Sequence, residues 1–269
     1  MTGISATEQG RQIIHFGSGN GPGPVPADAV RITVPTRKDL LEDLGGRMAR
    51  KEGFTLATLN LDHAVKLKSD PAFRKAYLAQ SHVVADGNPI VWLCRLAGYR
   101  VELIPGSELV QPLCALAAQT GRGVALFGST QDSLDLAATR LEAQHPGLKV
   151  VSKISPPMGF DPDSDDAARL LGELRESGAG LCFLALGAPK QERLAARAAE
   201  LVPGCGFASV GAGVDFIAGH QTRAPAWVRR IAMEWFWRMM GNPRRMAARY
   251  GACFAILPEL GATALRDRG

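Results

Sequence analysis

Apolar positions along the chain follow two alternating patterns. Short, mainly apolar runs at 30–34, 54–59, 83–85, 123–127, 148–154, 181–186 and 205–210 read as strands, those at 123–127 and 181–186 as buried ones. Between them apolar residues recur every three or four positions, as at Leu40, Leu41, Leu44 and Met48. That spacing predicts helices over 38–51, from 62, from 71 to about 80, after Pro89, over 107–119 and 131–144, up to about 177, and after Pro189. Strand and helix alternate at least six times, which implies an α/β protein with a parallel sheet and helices on both faces. Polar residues gather where the runs stop, at Thr58, Asn60, Asp86, Ser129, Gln191 and Asp215. Open α/β sheets bind ligands outside the carboxyl ends of their strands, so one mouth of this sheet would hold most of the candidate chemistry.

Asp86 is the central candidate. An apolar run stops at this one carboxylate, Gly87, Asn88 and Pro89 follow, and Val91, Trp92, Leu93 and Leu96 continue at helical spacing. A carboxylate at such a strand end can act as a general base; it can equally be the cap of the following helix. Gly128-Ser129-Thr130 between strand and helix suits a phosphate or ribose cradle, or an ordinary turn capped by Thr130. Gly187-Ala188-Pro189 places a tight turn at a strand end, with Gln191 and Glu192 in the first helical turn. Asp161-Pro162-Asp163 could hold a divalent metal, but acids are also favoured where a helix starts, and that reading is preferred. Gly211-Ala212-Gly213 lacks the third glycine of a dinucleotide fingerprint, and no helical pattern begins cleanly after it.

The composition narrows the class. The chain has 269 residues, 46% of them hydrophobic, enough for one large domain with an appendage. No apolar run reaches the roughly 18 residues needed to span a bilayer, and the N-terminus lacks a basic-then-apolar signal pattern. Five scattered cysteines without a CxxC, and five dispersed histidines, suggest a reducing cytoplasm and no metal site. Residues 1–28 are rich in Gly and Pro and are expected to form a flexible arm. The net charge of +5 belongs to the other end, since nine Arg and three acids lie from Arg223 onward. Trp227, Ile231, Trp235 and Met239 share a helical face there, with arginines flanking it. Arg and Trp on an amphipathic stretch point to an anionic membrane surface, with nucleic acid as second choice and a helix packed on the core as the plain alternative. Asn242-Pro243 should break that helix, and Pro258 and Glu259 should interrupt the apolar segment beyond it.

Seven short pieces in order resemble the WecG/TagA/CpsF glycosyltransferases, glycosyltransferase family 26. They are Thr58-Leu59-Asn60, Ala85-Asp86-Gly87-Asn88-Pro89-Ile90, Pro105-Gly106-Ser107-Glu108-Leu109, Leu126-Phe127-Gly128, Leu186-Gly187-Ala188-Pro189-Lys190-Gln191-Glu192, Val210-Gly211-Ala212-Gly213-Val214-Asp215, and a tail set. The tail set is Arg223-Ala224-Pro225, Glu234-Trp235, Arg238, Pro243 and Arg249-Tyr250. The resemblance implies a Rossmann-like catalytic domain over 29–221 and a basic helical, membrane-proximal appendage over 222–269. It implies an inverting hexosyltransferase without cofactor or obligatory metal. The sugar would pass from a UDP-sugar donor to a polyprenyl-diphosphate-linked saccharide, in surface polysaccharide or exopolysaccharide assembly. The site would lie at the cytoplasmic face of the inner membrane, held there as a peripheral protein by the Arg/Trp tail. No nucleic acid partner is expected, and a homo-oligomer is compatible with this reading but not required by it.

On the same resemblance Asp86 takes the proton of the acceptor hydroxyl. Thr58, Asn60 and Gln191 contact the sugar nucleotide or orient Asp86. Asn88, Gly128, Ser129 and Asp215 complete the substrate-binding set. Arg238, Arg245 and Arg249 meet the diphosphates, with Arg244 the alternative to Arg245. There is one departure: many relatives carry an arginine where this chain has Leu103. Arg100 or a tail arginine then substitutes, or the donor is held differently. The family's sugars include N-acetylmannosamine, its uronic acid and glucose; glucose onto a lipid-linked glucose is the preferred expectation. The rival classes are a nucleotide-dependent oxidoreductase and a non-enzymatic nucleotide-binding protein with a nucleic-acid-docking tail.

Overall fold

The computed structural model describes residues 12–18, 25–221, 225, 228, 237, 240 and 243–268, without the side chains of 243–245. A short parallel pair, β1 (Ile14–His15) and β2 (Val30–Arg31), comes first, followed by α1 (Arg37–Arg50). The main sheet begins with β3 (Phe54–Leu59), then α2 (Leu61–Ser69), α3 (Pro71–Leu78), β4 (His82–Ala85), α4 (Asn88–Leu96) and α5 (Gly106–Gln119). It continues through β5 (Val124–Gly128), α6 (Gln131–Gln144), β6 (Val150–Ile154), α7 (Asp165–Glu176), β7 (Leu181–Ala185), α8 (Lys190–Leu201), β8 (Gly206–Ser209) and α9 (Gly213–Ala218). A long helix, α10 (Pro243–Arg266), follows.

The six strands from β3 to β8 are parallel and lie in the order β4-β3-β8-β7-β5-β6. Strands covered on both faces read as continuous apolar runs, which is the pattern the chain shows. Side chains alternate across the sheet. Leu56, Val84, Leu126 and Phe183 face one apolar body, which holds Leu44 of α1, Leu113 of α5, Leu141 of α6 and Val214 of α9. Ala57, Leu59, Val83 and Ala85 face a second body with α2, α3, α4 and α10. Phe127, Cys182, Leu184 and Phe207 face a third with α7 and α8.

Four local expectations are corrected. β2 stops at Arg31 instead of running to 34, because Thr33 Oγ1, in place of a ladder carbonyl, accepts the Val83 N–H at 2.8 Å. The arm expected over 1–28 is in part core: Ile14 and Phe16 are buried, and Phe16 N–H and Gln12 Nε2 both donate to the Asp267 carboxylate at 2.8 Å. A helix does start after Gly211-Ala212, but α9 has six residues, too few for a period to declare itself. Finally, α10 runs straight through Pro258 and Glu259. Pro258 lies on the exposed side of the helix, where the carbonyl it leaves unbonded can meet water, while Cys253, Ile256, Leu260 and Ala264 keep the inner face buried.

Candidate active site

The ladder between β3 and β4 runs one residue past the strands, since Asp86 N–H donates to Leu59 O at 2.8 Å. That places the half-buried Asp86 side chain at the carboxyl edge of the sheet, where Thr58 Oγ1 donates to Asp86 Oδ2 across a long 3.4 Å. Gly87 then turns the chain with φ of 109°, a conformation side chains disfavour. A Cβ on Gly87 would lie 4.0 Å from Asn60 Cβ, so the loops after β3 and β4 touch here. Gly87, not Asp86, holds the cap position of α4, and no side chain caps that helix. Asp86 thus stands one residue ahead of the cap position. Asn60 does cap a helix: its Oδ1 accepts His63 N–H at 3.0 Å at the start of α2.

The start of α5 is pressed against the same place. A Cβ on Gly106 would stand 3.2 Å from both Thr58 Cγ2 and Ser209 O, closer than the neighbours allow without shifting. Helices α4, α5 and α8 all begin without a side-chain cap. Their first-turn N–H groups are thus the kind of donor an anionic group binds. Leu103, where the resemblance leads one to expect an arginine, is 37% exposed, and the next residue, Ile104, bonds through its N–H to Ala85 O at 2.8 Å. An arginine does reach this turn from another element, as Arg37 Nη2 pairs with Glu108 Oε2 at 2.8 Å.

Further along the edge, Gln191 bridges two loops. Its Oε1 accepts Gly211 N–H at 3.2 Å and its Nε2 donates to Glu192 Oε1 at 2.8 Å. Ser129, held at φ of 60° after Gly128, donates its hydroxyl to the Asp215 carboxylate, which also accepts from Gln221 Nε2 at 3.1 Å. Ser129 and Asp215 thus join the loop after β5 to α9. Thr130 caps α6, accepting Ser133 N–H at 3.3 Å. Asn88 lies half-buried in the first turn of α4.

Of the tail arginines, Arg249 is brought to the mouth. Its Nε pairs with Asp62 Oδ1 at 2.9 Å, Lys66 Nζ takes Asp62 Oδ2 at 2.7 Å, and the same ammonium donates to Ala188 O at 3.2 Å. Burial opposes ionisation of Asp62, but Lys66 and Arg249 prevail and hold the carboxyl below its ordinary range. Arg245 lies in α10 with its side chain outside the described residues, and Arg238 lies outside them altogether. Among the described residues no three His, Cys, Asp or Glu side chains gather as metal ligands. Asp163 instead forms an ion pair with Arg193, and Asp161 stands 4.0 Å from the same guanidinium.

Sequence reasoning placed Glu192 in a first helical turn but did not find that it, like His63, is buried below the mouth. His63 Nδ1 meets Tyr77 Oη at 2.8 Å, and burial drives the His63 imidazole down to about 3, so it is neutral. Glu192 is fully buried, and burial pushes its carboxyl up to about 7. A carboxylate in a first helical turn usually faces water, so nothing local to the sequence signals this one.

The chain is similar to known proteins. Residues 27–268 match the family described as Glycosyl transferase WecG/TagA/CpsF family. A relative from Bacillus subtilis (strain 168), N-acetylglucosaminyldiphosphoundecaprenol N-acetyl-beta-D-mannosaminyltransferase, is 24% identical over 197 residues, spanning 73% of this chain and 75% of its own length.

Proposed function

This chain belongs to the WecG/TagA/CpsF glycosyltransferase family, and from that premise we propose that it transfers a hexose or N-acetylhexosamine from a UDP-sugar to a polyprenyl-diphosphate-linked saccharide, with inversion. The oxidoreductase and non-enzymatic alternatives give way to the transferase class. The observation that carries the finer reading is the placement of Asp86: a half-buried carboxylate at the carboxyl edge, beside Thr58 and Asn60 and just ahead of the start of α4. In the proposed step the acceptor oxygen attacks the anomeric carbon, its proton passes to Asp86, and the bond to the UDP oxygen breaks on the opposite face. The charge developing on UDP is met by first-turn N–H groups and by arginines that include Arg249.

The proposed substrate set is Thr58, Asn60, Asn88, Gly128, Ser129, Gln191, Asp215, Arg238, Arg245 and Arg249. The relative's name carries an N-acetylmannosaminyl product and an N-acetylglucosaminyl-diphosphate-lipid acceptor. It favours an N-acetylhexosamine here over the glucose expected from sequence. Among the described residues no helix is long and apolar enough to cross a membrane. A peripheral site at the cytoplasmic face of the inner membrane, reached through the Arg/Trp tail, is part of the same proposal, as is the division into a catalytic domain and an appendage.

The test is UDP release from a panel of UDP-sugars with a short-chain polyprenyl-diphosphate-sugar acceptor, for wild type and Asp86→Asn. Acceptor-dependent turnover with one donor, lost in the variant while UDP still binds, is the expected result. Equal turnover by the variant would remove Asp86 from the chemistry.

A further inference from the structure

Beneath the mouth, between α3 and α8, the core is polar. Glu192 is 0% exposed, yet its Oε2 has no hydrogen-bond partner. Gln80, 6% exposed, donates its Nε2 to Ala76 O at 2.8 Å and to the backbone carbonyl of Glu192 at 3.1 Å, and its Oε1 also lacks a donor. Packing alone gives no reason to keep such groups, since buried polar atoms without partners are costly.

The one side-chain bond Glu192 makes to another residue is to the amide of Gln191, itself only 3% exposed. That amide has two unlike ends. Its Oε1 must face a donor and finds Gly211 N–H; its Nε2 must face an acceptor and finds Glu192 Oε1. Reversing the amide would set oxygen against oxygen and N–H against N–H, and both bonds would be lost. The carboxyl therefore decides which way the amide points.

We propose that Glu192 is a positioning residue of the transferase site, locking the Gln191 amide in the orientation that ties the loops after β7 and β8 together and presents Gln191 to the sugar nucleotide. This rests on the reading of Gln191 as a donor-binding residue. The groups that face Glu192 from the elements around it are few. Desolvation dominates its titration; the Gln191 amide, its own backbone N–H and Lys66 of α2 act against that, Asp62 of α2 acts with it, and Tyr77 of α3 feels its charge. Near its midpoint of about 7 the protonated form has a hydrogen at Oε2 to donate, whereas the ionised form leaves a buried charge without a cation bonded to it. The Gln191 bond draws the midpoint down, so it is stronger to the ionised carboxyl; ionisation tightens the lock, and donor binding strengthens as pH rises through that range.

The test uses the full chain as wild type, Glu192→Gln and Glu192→Leu, with three readouts: donor KM and kcat, melting temperature, and the hydrogen-exchange protection of the Gly211 amide. Glutamine keeps an acceptor for Gln191 and resembles the protonated acid. It is expected to keep the protection and KM that wild type shows below about pH 6, and to abolish the rise in protection and the fall in KM between about pH 6 and about pH 8. Leucine removes the acceptor. It is expected to raise donor KM and to speed Gly211 exchange by about tenfold, the scale of one lost hydrogen bond, with kcat changed less.

A folded leucine variant with wild-type KM and wild-type Gly211 protection would overturn the proposal, as would a lowered melting temperature with both left intact. Should leucine prevent folding, the pH series decides: parallel changes in wild type and Glu192→Gln would overturn it. No turnover of any UDP-sugar by wild type would instead overturn the donor-binding reading, with Gly211 protection still showing whether Glu192 sets the amide.

Discussion

The two faces of the sheet are built differently. One is a single apolar body that runs from Leu40 on α1 to Ala218 at the end of α9 and touches strands from β4 to β5. The other is two bodies, one under β3 and β4 and one under β5, β7 and β8. Across the divide α3 meets α8 through Gln80 and Glu192, with His63 and Tyr77 buried close by. An apolar face stabilises through area and shape, and many substitutions of similar volume can serve it. A polar seam stabilises less but orients, because each donor must find an acceptor. The seam lies below the edge that carries Thr58, Asp86 and Gln191, which is where orientation has a use.

The largest expected effect sharpens the contrast at the mouth. Asp86→Asn should lower turnover by about 10²–10⁴, the usual scale for a proton-transfer group, and leave melting and UDP binding near wild type. Next comes the continuous face. Phe183, fully buried on β7, should cost about 3–5 kcal/mol as Phe183→Ala in denaturant unfolding, with donor KM unchanged in the protein that remains folded. A change in KM of the size expected for Glu192→Leu would erase the distinction between the faces.

The third effect is in the pH dependence of stability, where two groups of the seam act in opposite directions. His63, driven from 6.5 down to about 3, stays neutral in the native state while the unfolded chain takes up a proton; stability is lost as pH falls below 6.5. Glu192, driven from 4.5 up to about 7, holds its proton in the native state after the unfolded chain has released it; stability is lost as pH rises above 4.5. Between 4.5 and 6.5 the slopes, each at most about 1.4 kcal/mol per pH unit, nearly cancel. Glu192→Gln should expose a rise with pH and His63→Gln a fall, both read from denaturation midpoints. Identical curves for all three proteins would show that neither group titrates as its burial requires.

The smallest effect concerns the tail. Arg249→Ala should raise the KM of the diphosphate substrates by about fivefold, since the guanidinium is partly exposed and its pairing is screened. Asp62→Asn should act in the same direction through loss of its hold on Arg249. An Asp62→Asn effect absent where Arg249→Ala has one would mean that the ion pair does not place the arginine.

Much of the sheet was legible in the chain because strands covered on both faces leave no polar alternation to confuse them. Thr58, Asn60 and Asp86 were found together because each ends an apolar run, and parallel strands bring such ends to one edge. What escaped depends on tertiary contacts. Whether Asp86 caps α4 turns on one backbone angle at Gly87, which no residue pattern encodes. The burial of Glu192 follows from α3 lying across α8, and the pairing of Arg249 with Asp62 from α10 lying across α2. Pro258 reads as a breaker by local rules and is tolerated only because it faces outward.

Asp267 accepts from Gln12 and from the backbone of Phe16, a residue 251 positions earlier in the chain. The segment that carries β1 therefore lacks its polar anchor until Asp267 has been made. While the chain is still being synthesised, Ile14 and Phe16 have no α10 to bury them, although the central strands already have their neighbours. A nascent chain stalled short of residue 267 would therefore present its first strand undocked, open to a chaperone or a protease.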